Sequence, residues 1–577
     1  MNQQLRNLLQ FFIRAVALIA LFGIIGCGAS RNLTNSDVVW VDDDQYHVSK
    51  VPKERDPYYG WDFIHRSFIY PVDRFLDFPR YLGSNKAQNT NALGEVPDSS
   101  WYTNRHAHKR MTLEELITGS NKGDGPDLDG TWTIIKSKTQ GVTPGFNIRD
   151  EHGGIYIIKF DPIDHPEMAT AAEAISTLFF YAAGYNTPEN YIVYFDPKNL
   201  VIGEGAKVTD DKGRKRRMND ADLKEILARI SHCSDGTIRA LASKFIDMDK
   251  SGRPIGPFSY RSRRKDDPND IYSHRYRREL RGLKVFASLV NHVDIKGPNT
   301  LDMYITENGK SYVKHYLIDF GATLGSASTH SHSAATGHEY SFDVPWLTKS
   351  MFTLGLLGKP WDKSASMDNP AIGFFEAETF HPGKWKQSYS NPAFMEMSNQ
   401  DAYWGARLVM AFTPDEIRAI VKQGQYSDPE VEQYIADTLI KRREKIGLYW
   451  YGKVAPLDRF MLKAEGGGVR LQFADLGVES GVWQPADYRY ELRHYESNEL
   501  LDSAVVTGNT DISISSEALS SMNNFINGKA ADDAHRFFYF KLNTERDGKT
   551  SKAVHVYLYY GDEIPDKLKI VRVERDG

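Results

Sequence analysis

The clearest hydrophobic pattern in the chain lies around a single Asn-Gly pair. Leu301–Thr306 and Tyr312–Ile318 are rich in β-branched, aromatic and aliphatic side chains, and Asn308-Gly309 stands between them. Asn-Gly accepts the positive φ angles of a tight turn, so the pattern predicts a β-hairpin. Asn299 and Asp319 stand at nearly equal distances from the turn. The hairpin therefore brings these two polar residues together at its open end.

Upstream of the hairpin, short apolar runs indicate strands, and one longer run indicates a helix. In that helix Ala172, Ile175 and Phe179 recur with a period close to that of an α-helix. Residues 204–270 are mostly polar and are interpreted as an insertion. The predicted elements are strands at Thr131–Lys136, Ile155–Phe160, Tyr191–Phe195 and Ala240–Met248, and the helix at Met168–Ala183.

Helix signals dominate the second half of the sequence. His274–Val290 carries a continuous apolar stripe, which predicts a long helix that leads to the polar cluster at His292. Thr413-Pro414-Asp415-Glu416 is a capping box with proline at the first helical position. Asp428-Pro429-Glu430 begins another helix, which we expect to stop at Gly447.

Residues 455–577 change to strict alternation of apolar and polar positions. Tyr488 and Tyr490 alternate with charged neighbours, and Val554 and Val556 do the same further along the chain. About seven such half-buried strands, separated by turn clusters, predict an all-β sandwich. This part resembles immunoglobulin and fibronectin type III modules, which usually bind or position other groups.

Polar residues at the open end of the hairpin have the chemistry of a metal and phosphate site. The amide oxygen of Asn299 and the carboxylate of Asp319 are both hard oxygen donors, which suit Mg²⁺ carrying a nucleotide phosphate. Asp294 lies shortly upstream and can face the same point as a base. The alternative is an ordinary hairpin flanked by solvated Asp and Asn.

These residues carry a resemblance to protein-kinase-like enzymes. His292 to Asn299 has the form H-x-D-x-K-x-x-N of the kinase catalytic loop, and Asp319-Phe320-Gly321 matches the metal-binding motif D-F-G. The resemblance implies that Asp294 accepts the proton of an acceptor hydroxyl and that Lys296 steadies the γ-phosphate. It also implies that Asn299 and Asp319 hold Mg²⁺.

The same resemblance extends to the predicted strands upstream. Gly141 and Gly145 lie in a glycine-containing turn that would cover nucleotide phosphates, and Lys159 would reach those phosphates from the next strand. Glu173, on the following helix, would pair with Lys159 and orient it. The loop departs from G-x-G-x-x-G and is closer to atypical kinases of the HipA and phosphoinositide-kinase type. Simpler alternatives are a plain turn, a solvated strand-end lysine and an acidic residue at a helix N-terminus.

The start of the chain resembles a bacterial lipoprotein signal peptide. Arg6 and Arg14 precede and border an apolar run, Ala15–Gly26, that is too short for a usual transmembrane helix. Cys27 ends a lipobox-like sequence, and in that family this cysteine receives a lipid and becomes the new N-terminus. The resemblance to Gram-negative lipoproteins implies that Gly28 after the cysteine, rather than Asp, favours the outer membrane. A plain secretory signal or a short anchor helix is the alternative.

Composition limits the remaining choices. The chain has 577 residues, a formal net charge of −5 and two cysteines, and 41% of its residues are hydrophobic. Acylation of Cys27 would leave Cys233 without an intrachain partner, so packing rather than disulfides has to stabilise the fold. The acidic balance argues against a general nucleic-acid binder. No A-P-E motif follows the D-F-G sequence, so a protein substrate is not implied.

The predicted fold is α+β, with a two-lobed kinase-like domain followed by the sandwich. The expected segments are a signal peptide (1–26), a tether (27–60), an N-terminal extension (61–130), an N-lobe with an insertion (131–270), a C-lobe (271–450) and the sandwich (455–577). The expected function is an envelope-tethered phosphotransferase that uses ATP and Mg²⁺ on an unknown acceptor hydroxyl. Because ATP is scarce outside the cytoplasm, a pseudokinase scaffold and a kinase-fold AMP transferase remain alternatives.

Overall fold

A computed structural model describes most of the chain after residue 32. It covers residues 33–57, 59–76, 85–137, 145–209, 215–246, 252–341, 343, 350–353, 358–465, 468–530, 533–562 and 567–577. The predicted signal peptide, with Cys27, and the predicted loop residue Gly141 lie outside these ranges. Among the described helices, none is both long enough and apolar enough to cross a membrane.

The first half of the described chain is built on a mixed sheet of seven strands, in the order β4-β7-β3-β2-β1-β5-β6. Neighbouring strands run antiparallel except β1 and β5, which are parallel. The strands are β1 Trp132–Ser137, β2 Gly145–Arg149, β3 Ile155–Phe160, β4 Asn190–Phe195, β5 Leu200–Thr209, β6 Lys215–Arg217 and β7 Ile238–Lys244. Part of the segment interpreted as an insertion thus extends the same sheet.

Helices pack beside this sheet, and most of them contribute to a second, larger core. In chain order they begin with α1 Tyr59–Ile64, α2 Tyr70–Leu76, α3 Leu113–Thr118, α4 Met168–Ala183, α5 Asp220–Leu227 and α6 Arg278–Leu289. They continue with α7 Pro392–Met395, α8 Asn399–Met410, α9 Pro414–Lys422 and α10 Pro429–Tyr451. Phe179 and Phe180 of α4 lie in the same core as Leu283 and Phe286 of α6.

Helix α10 runs past Gly447, where the sequence predicts its end. A Cβ atom at Gly447 would lie only 2.6 Å from the sulfur of Met410. Glycine therefore stands inside the helix because α8 packs closely against it, and the helix continues to Tyr451. Glycine often ends a helix, but here it allows two helices to pack closely.

The predicted hairpin is present, with nearly the bounds that the pattern indicates. Strand β8, Arg253–Pro254, pairs with β9, Thr300–Glu307, which in turn pairs with β10, Lys310–Leu317. Asn308 and Gly309 have φ angles of 51° and 74°, as a tight hairpin turn requires. The register sets Thr300 opposite Leu317.

Segments before the first sheet pack against this hairpin and against helix α6. The Trp101 ring stacks on the His315 ring with 3.5 Å between centroids, and the Arg277 guanidinium lies 4.5 Å from the Trp101 ring. The backbone of Val48 donates a hydrogen bond to Ser311, and the Asp44 carboxylate accepts one from the backbone of Ser100. Asp44 and Val48, in the segment predicted to be a tether, thus contact the main body.

The last part of the chain holds two antiparallel sheets around a shared core. One has the strand order β11-β12-β15 and the other β14-β13-β16-β18-β19, with the short β17 beside β16. The strands are β11 Leu457–Glu465, β12 Gly468–Asp475, β13 Asp487–His494, β14 Leu500–Thr507, β15 Asp511–Ile514, β16 Phe537–Arg546, β17 Lys549–Thr550, β18 Val554–Tyr560 and β19 Leu568–Arg575.

This unit is not all-β, in contrast to the prediction. Two helices interrupt it, α11 Leu476–Glu479 and α12 Ser516–Ile526. Ala518, Met522 and Ile526 of α12 are buried at a spacing of four residues and join the core of the two sheets. The buried side chains of this segment recur with the period of a helix. The alternation of apolar and polar residues that predicts strands elsewhere in the unit is therefore not followed in this segment.

Candidate active site

Strand β3 and helix α4 place Lys159 beside Glu173. Tyr156, Ile158 and Phe160 alternate into the core, so Lys159 lies on the other face of the strand. Asp161 follows two residues later and its carboxylate accepts hydrogen bonds from the first turn of α4, including the backbone N–H groups of Ala169 (2.8 Å) and Thr170 (2.9 Å). One short stretch of chain therefore both presents Lys159 and anchors the helix that carries Glu173.

Lys159, Glu173 and Asp319 meet in one cluster. The Lys159 ammonium contacts the Glu173 carboxylate and lies 2.9 Å from Oδ1 of Asp319. The Glu173 side chain is 3% exposed and the Asp319 side chain 46% exposed. Burial by itself lowers the pKa of Lys159, but the Asp319 and Glu173 carboxylates outweigh burial and raise that pKa above its ordinary value. Lys159 is therefore a fixed positive charge at the edge of a small cavity.

Asp294, Lys296 and Asn299 form a second cluster, in the loop that precedes β9. The Lys296 ammonium lies 2.9 Å from Oδ2 of Asp294. The Asn299 side-chain amide donates to the same Oδ2 (3.0 Å) and to the backbone carbonyl of Asp294 (2.9 Å). Because its nitrogen is used in these bonds, Asn299 presents its amide oxygen as the remaining side-chain group. The carboxylate of Asp294 is thus fixed by two neighbouring donors.

The hairpin brings these two clusters to the same end. The backbone N–H of Ile318 donates to the carbonyl of Asn299 at 3.2 Å, which continues the register of β9 and β10 by one step. Asp319 follows directly and has a φ angle of 65°, a left-handed conformation that asparagine and aspartate adopt more easily than most residues. The predicted approach of the Asn299 and Asp319 segments is therefore present in the backbone.

The oxygen atoms of Asn299 and Asp319, at the open end of the hairpin, are too few to bind a divalent metal without a further ligand. Within the described ranges, no group of three or more His, Cys, Asp or Glu side chains could hold a metal ion. Asn299 and Asp319 supply one amide oxygen and one carboxylate. Mg²⁺ prefers six oxygen ligands and is commonly held by one or two carboxylates together with substrate phosphates and water. The residues present therefore fit a metal that arrives with a phosphate-bearing ligand.

Phe320 ties the Asp319 segment to the helix that carries Glu173. Its ring is fully buried and stacks on Phe180 of α4 with 4.9 Å between centroids. The ring of His292 lies 5.8 Å from the same Phe320 ring. Burial lowers the pKa of His292 to about 4, so this imidazole is neutral at pH 7. These aromatic contacts hold both polar clusters against one hydrophobic support.

Only one of the two glycines predicted for the phosphate-covering loop lies among the described residues. Gly141 is outside the described residues. Gly145 is the first residue of β2 and pairs with Lys159 in the strand register, so it is a strand residue next to the lysine. At Gly321, which follows Phe320, a Cβ atom would lie 3.2 Å from Ser328 Oγ and 3.3 Å from Glu173 Oε2, so a side chain there would crowd the site.

Sequence reasoning missed two residues near these clusters. Asp161 anchors helix α4, and an acidic residue shortly before a predicted helix was the available signal. His332 is half-buried, and this burial lowers its pKa to about 4. The Asp294 carboxylate and the His292 ring are among the groups that influence the pKa of His332. Ser328, from the same segment, lines the cavity beside Lys159, and such proximity between distant segments has no local signal in the sequence.

Comparisons with known proteins give only weak likenesses. No family model and no curated protein matches the sequence. Among solved structures, the Helicobacter pylori proinflammatory kinase CtkA matches with 10% identity and a TM-score of 0.29, over 54% of this chain and 95% of that chain. The Golgi casein kinase matches with 8% identity and a TM-score of 0.26, over 67% of this chain and 90% of that chain.

A further structure of the Golgi casein kinase, with Mn and ADP bound, matches with 10% identity and a TM-score of 0.27. That match covers 69% of this chain and 95% of the other. All three neighbours are kinases. Their TM-scores are all below 0.5, so any assignment of function to this chain has to come from its own side chains.

Proposed function

We propose that this chain is a kinase-like phosphotransferase that uses ATP with a divalent metal. The observation that carries the proposal is the contact of one ammonium, that of Lys159, with both Glu173 and Asp319. The buried carboxylate keeps the ammonium in place, and the exposed carboxylate beside it suits a metal that accompanies a phosphate. An ordinary surface lysine, in contrast, is not paired with a buried carboxylate.

Each cluster has a distinct role in this proposal. Lys159, oriented by Glu173, binds the phosphates of the nucleotide. Asn299 and Asp319 would hold the metal, which would supply positive charge beside the phosphates. Asp294 accepts the proton of the acceptor hydroxyl, and Lys296, 2.9 Å from it, stabilises charge on the transferred group. Catalysis of this kind depends mainly on positioning and electrostatics.

Phosphate transfer is tested with purified protein and ATP labelled at the γ-phosphate. Wild-type protein with Mg²⁺ or Mn²⁺ should label itself or an added acceptor protein mixture. Asp294→Asn should bind nucleotide with unchanged affinity and lose the labelling. Equal labelling by wild type and Asp294→Asn would reject the role given to Asp294.

The same assay with ATP labelled at the α-phosphate tests the alternative of AMP transfer. Incorporation of α-label and not of γ-label would make the chain a kinase-fold nucleotidyl transferase. Nucleotide binding without either label would make it a pseudokinase, acting as a binding module.

We also propose that the chain is tethered to the bacterial envelope through lipid on Cys27. The support is the lipobox-like sequence after a short apolar run. Cys27→Ala should leave the protein soluble or uncleaved when cells are fractionated. Unchanged membrane partitioning with normal cleavage would reject lipidation at Cys27.

We propose that residues 455–577 are a variant of the immunoglobulin and fibronectin type III sandwich. The support is the strand arrangement, with the first, second and fifth strands in one sheet and the third, fourth, sixth, eighth and ninth in the other, where the short seventh strand pairs with the sixth. The additional helix α12 lies between the fifth and sixth strands.

A further inference from the structure

A cleft of about 170 Å³ lies between the seven-stranded sheet and the β9–β10 hairpin, apart from the Lys159 cluster. Its walls come from four parts of the chain. Lys244 ends strand β7, Lys314 lies on β10, Thr187 belongs to the connection between α4 and β4, and Arg105 and Lys122 precede the sheet. None of these residues has a role in the proposed phosphate transfer.

The cleft has an excess of positive charge. Arg105, Lys122, Lys244 and Lys314 line it, and Glu189 is the acidic residue among the lining groups. The nitrogen of Lys244 lies 3.7 Å from Glu189. That carboxylate also accepts a hydrogen bond from the Tyr191 hydroxyl at 2.6 Å, so it is shared among several groups. Even with Glu307, which pairs with Lys314 from outside the lining, two carboxylates face four cations, so the cleft keeps a net positive charge.

Arg105 is held by carbonyl groups, which do not cancel its charge, whereas Lys314 pairs with a carboxylate outside the lining. NH1 of Arg105 donates to the backbone carbonyls of Tyr181 (2.7 Å) and Tyr185 (2.9 Å). The nitrogen of Lys314 lies 3.5 Å from Glu307, whose carboxylate also accepts from the Tyr312 hydroxyl. Carbonyl groups fix the position of a guanidinium and leave its charge available to a ligand.

Thr187 gives an independent indication of a ligand. Its side chain is 6% exposed, and its hydroxyl oxygen is buried with no hydrogen-bond partner among the described residues. A buried polar group without a partner costs about 1–3 kcal/mol, and such groups in native proteins need an explanation. A hydroxyl in the wall of a cationic cleft can donate its proton to an oxyanion.

We propose that this cleft binds a small phosphoryl oxyanion. Lysine side chains act as mobile point charges for phosphate, and the threonine hydroxyl adds a directed hydrogen bond. The volume suits inorganic phosphate or a small phosphorylated compound and is below the roughly 300 Å³ at which pockets for drug-sized ligands begin. A carboxylate ligand would use the same cations and serves as a comparison in the test.

The cleft is connected to two of the segments that carry the Lys159 cluster of the candidate active site, those of Glu173 and Asp319. The side-chain amide of Asn186 donates to the carbonyl of His315 at 2.9 Å, and the carbonyl of Asn186 accepts from the N–H of Leu317 at 3.0 Å. Leu317 ends the strand that leads to Asp319. Tyr181, in the cleft wall, lies on the same helix as Glu173, about 12 Å away along the axis.

An occupant of the cleft would therefore stabilise the connection between α4 and β10 in one arrangement. If that arrangement is the one that binds nucleotide, phosphate in the cleft and nucleotide at Lys159 strengthen each other's binding by the same factor. This coupling rests on the proposed function, whereas phosphate binding in the cleft does not.

Equilibrium dialysis with labelled inorganic phosphate tests the proposal, at constant ionic strength, with EDTA present and nucleotide absent. The full mature protein should show one saturable site. Lys244→Gln with Lys314→Gln should weaken binding at least tenfold, while the matched surface variant Lys198→Gln, whose side chain is 88% exposed, should not. Absence of saturable binding, or equal affinity in the double variant, would overturn the proposal.

Two further variants keep the test decisive if the double variant folds poorly. Thr187→Val has nearly the same shape, so it should weaken phosphate binding while the melting temperature without phosphate stays equal or rises. Lys159→Met should leave phosphate binding unchanged. Loss of binding in Lys159→Met, with retention in Thr187→Val, would place the phosphate at the candidate active site and reject the cleft.

Discussion

Lys159 and Asp319 are 160 residues apart in the chain, yet the ammonium of Lys159 lies 2.9 Å from a carboxylate oxygen of Asp319. Lys159 belongs to the sheet, and Asp319 follows the hairpin of the second half. Glu173 contacts the same ammonium from helix α4. Three separate elements thus converge on one positive charge, and changes at each of them should have distinct effects.

Glu173→Gln should weaken nucleotide binding with little loss of stability. Glutamine keeps the shape but removes the negative charge that orients Lys159, while Asp319 still pairs with the ammonium. We expect the dissociation constant for ADP with Mg²⁺ to rise about tenfold, equivalent to about 1.4 kcal/mol. Isothermal titration calorimetry measures this change, with the exposed Glu225→Gln as control. An unchanged constant would show that Glu173 does not orient Lys159.

Asp161→Ala should destabilise the fold by about 2 kcal/mol or more. The variant removes the acceptor for two backbone N–H groups and the Thr170 hydroxyl at the start of α4, all in a buried site. Urea denaturation followed by circular dichroism measures the loss. Asp235→Ala, which removes a similar bond to Thr237 at an exposed turn, should cost less than about 1 kcal/mol. Equal losses would show that Asp161 is not a special anchor of α4.

His292 should make the protein less stable in mild acid. Burial lowers its pKa in the folded state to about 4, below the value of 6.5 for a free histidine. The neutral form therefore fits the fold, and its stabilisation is complete above pH 6.5 and is lost as the pH falls toward 4. The full difference amounts to about 3 kcal/mol.

Urea midpoints of wild type and His292→Gln at pH 7 and pH 5 test this prediction. The variant should be less stable at pH 7, because packing against Phe320 is lost, but its midpoint should change less with pH. His108→Gln, at an exposed position, should keep the pH dependence of the wild type. A variant with undiminished pH dependence would show that other groups cause the acid sensitivity.

Asp458→Asn should destabilise the junction between α8 and the C-terminal sheets. The Asp458 carboxylate lies 3.1 Å from Arg407 and 3.3 Å from Arg575, and it accepts a hydrogen bond from the Tyr403 hydroxyl at 2.8 Å. Without its charge, two arginines face each other with less compensation in a buried site. Removing one partner of such a pair typically costs about 3–5 kcal/mol.

Urea denaturation measures this loss against Asp511→Asn, which pairs with Arg470 near the surface. The control should lose less than about 1 kcal/mol. If both variants lose the same amount, the Asp458 cluster does not link α8 to the sheets.

Local signals in the sequence were enough to predict the hairpin and helix α4. The hairpin depends on Asn308-Gly309 and on neighbouring strands, and α4 depends on the period of its own side chains. The contact between Lys159 and Glu173 was predicted from a resemblance, and both residues lie on elements whose bounds were predicted well. These features need little information from distant parts of the chain.

Other features depend on packing that the sequence does not display locally. Trp101 is held between His315 and Arg277, which come from a distant strand and helix, so the segment around it had no readable pattern. Helix α10 passes Gly447 because Met410 needs the space that a side chain would occupy. The cationic cleft joins four segments and has no sequence motif.

The central claim is that Asp319 binds a metal together with nucleotide phosphates, and calorimetric titration of ATP tests it most directly. Wild-type protein should bind ATP with Mg²⁺ or Mn²⁺ and should bind at least tenfold more weakly in EDTA. Asp319→Asn should keep the fold, since this side chain is 46% exposed, and should lose the difference between metal and EDTA. Metal-dependent ATP binding that is equal in wild type and Asp319→Asn, or no ATP binding by wild type, would contradict the account.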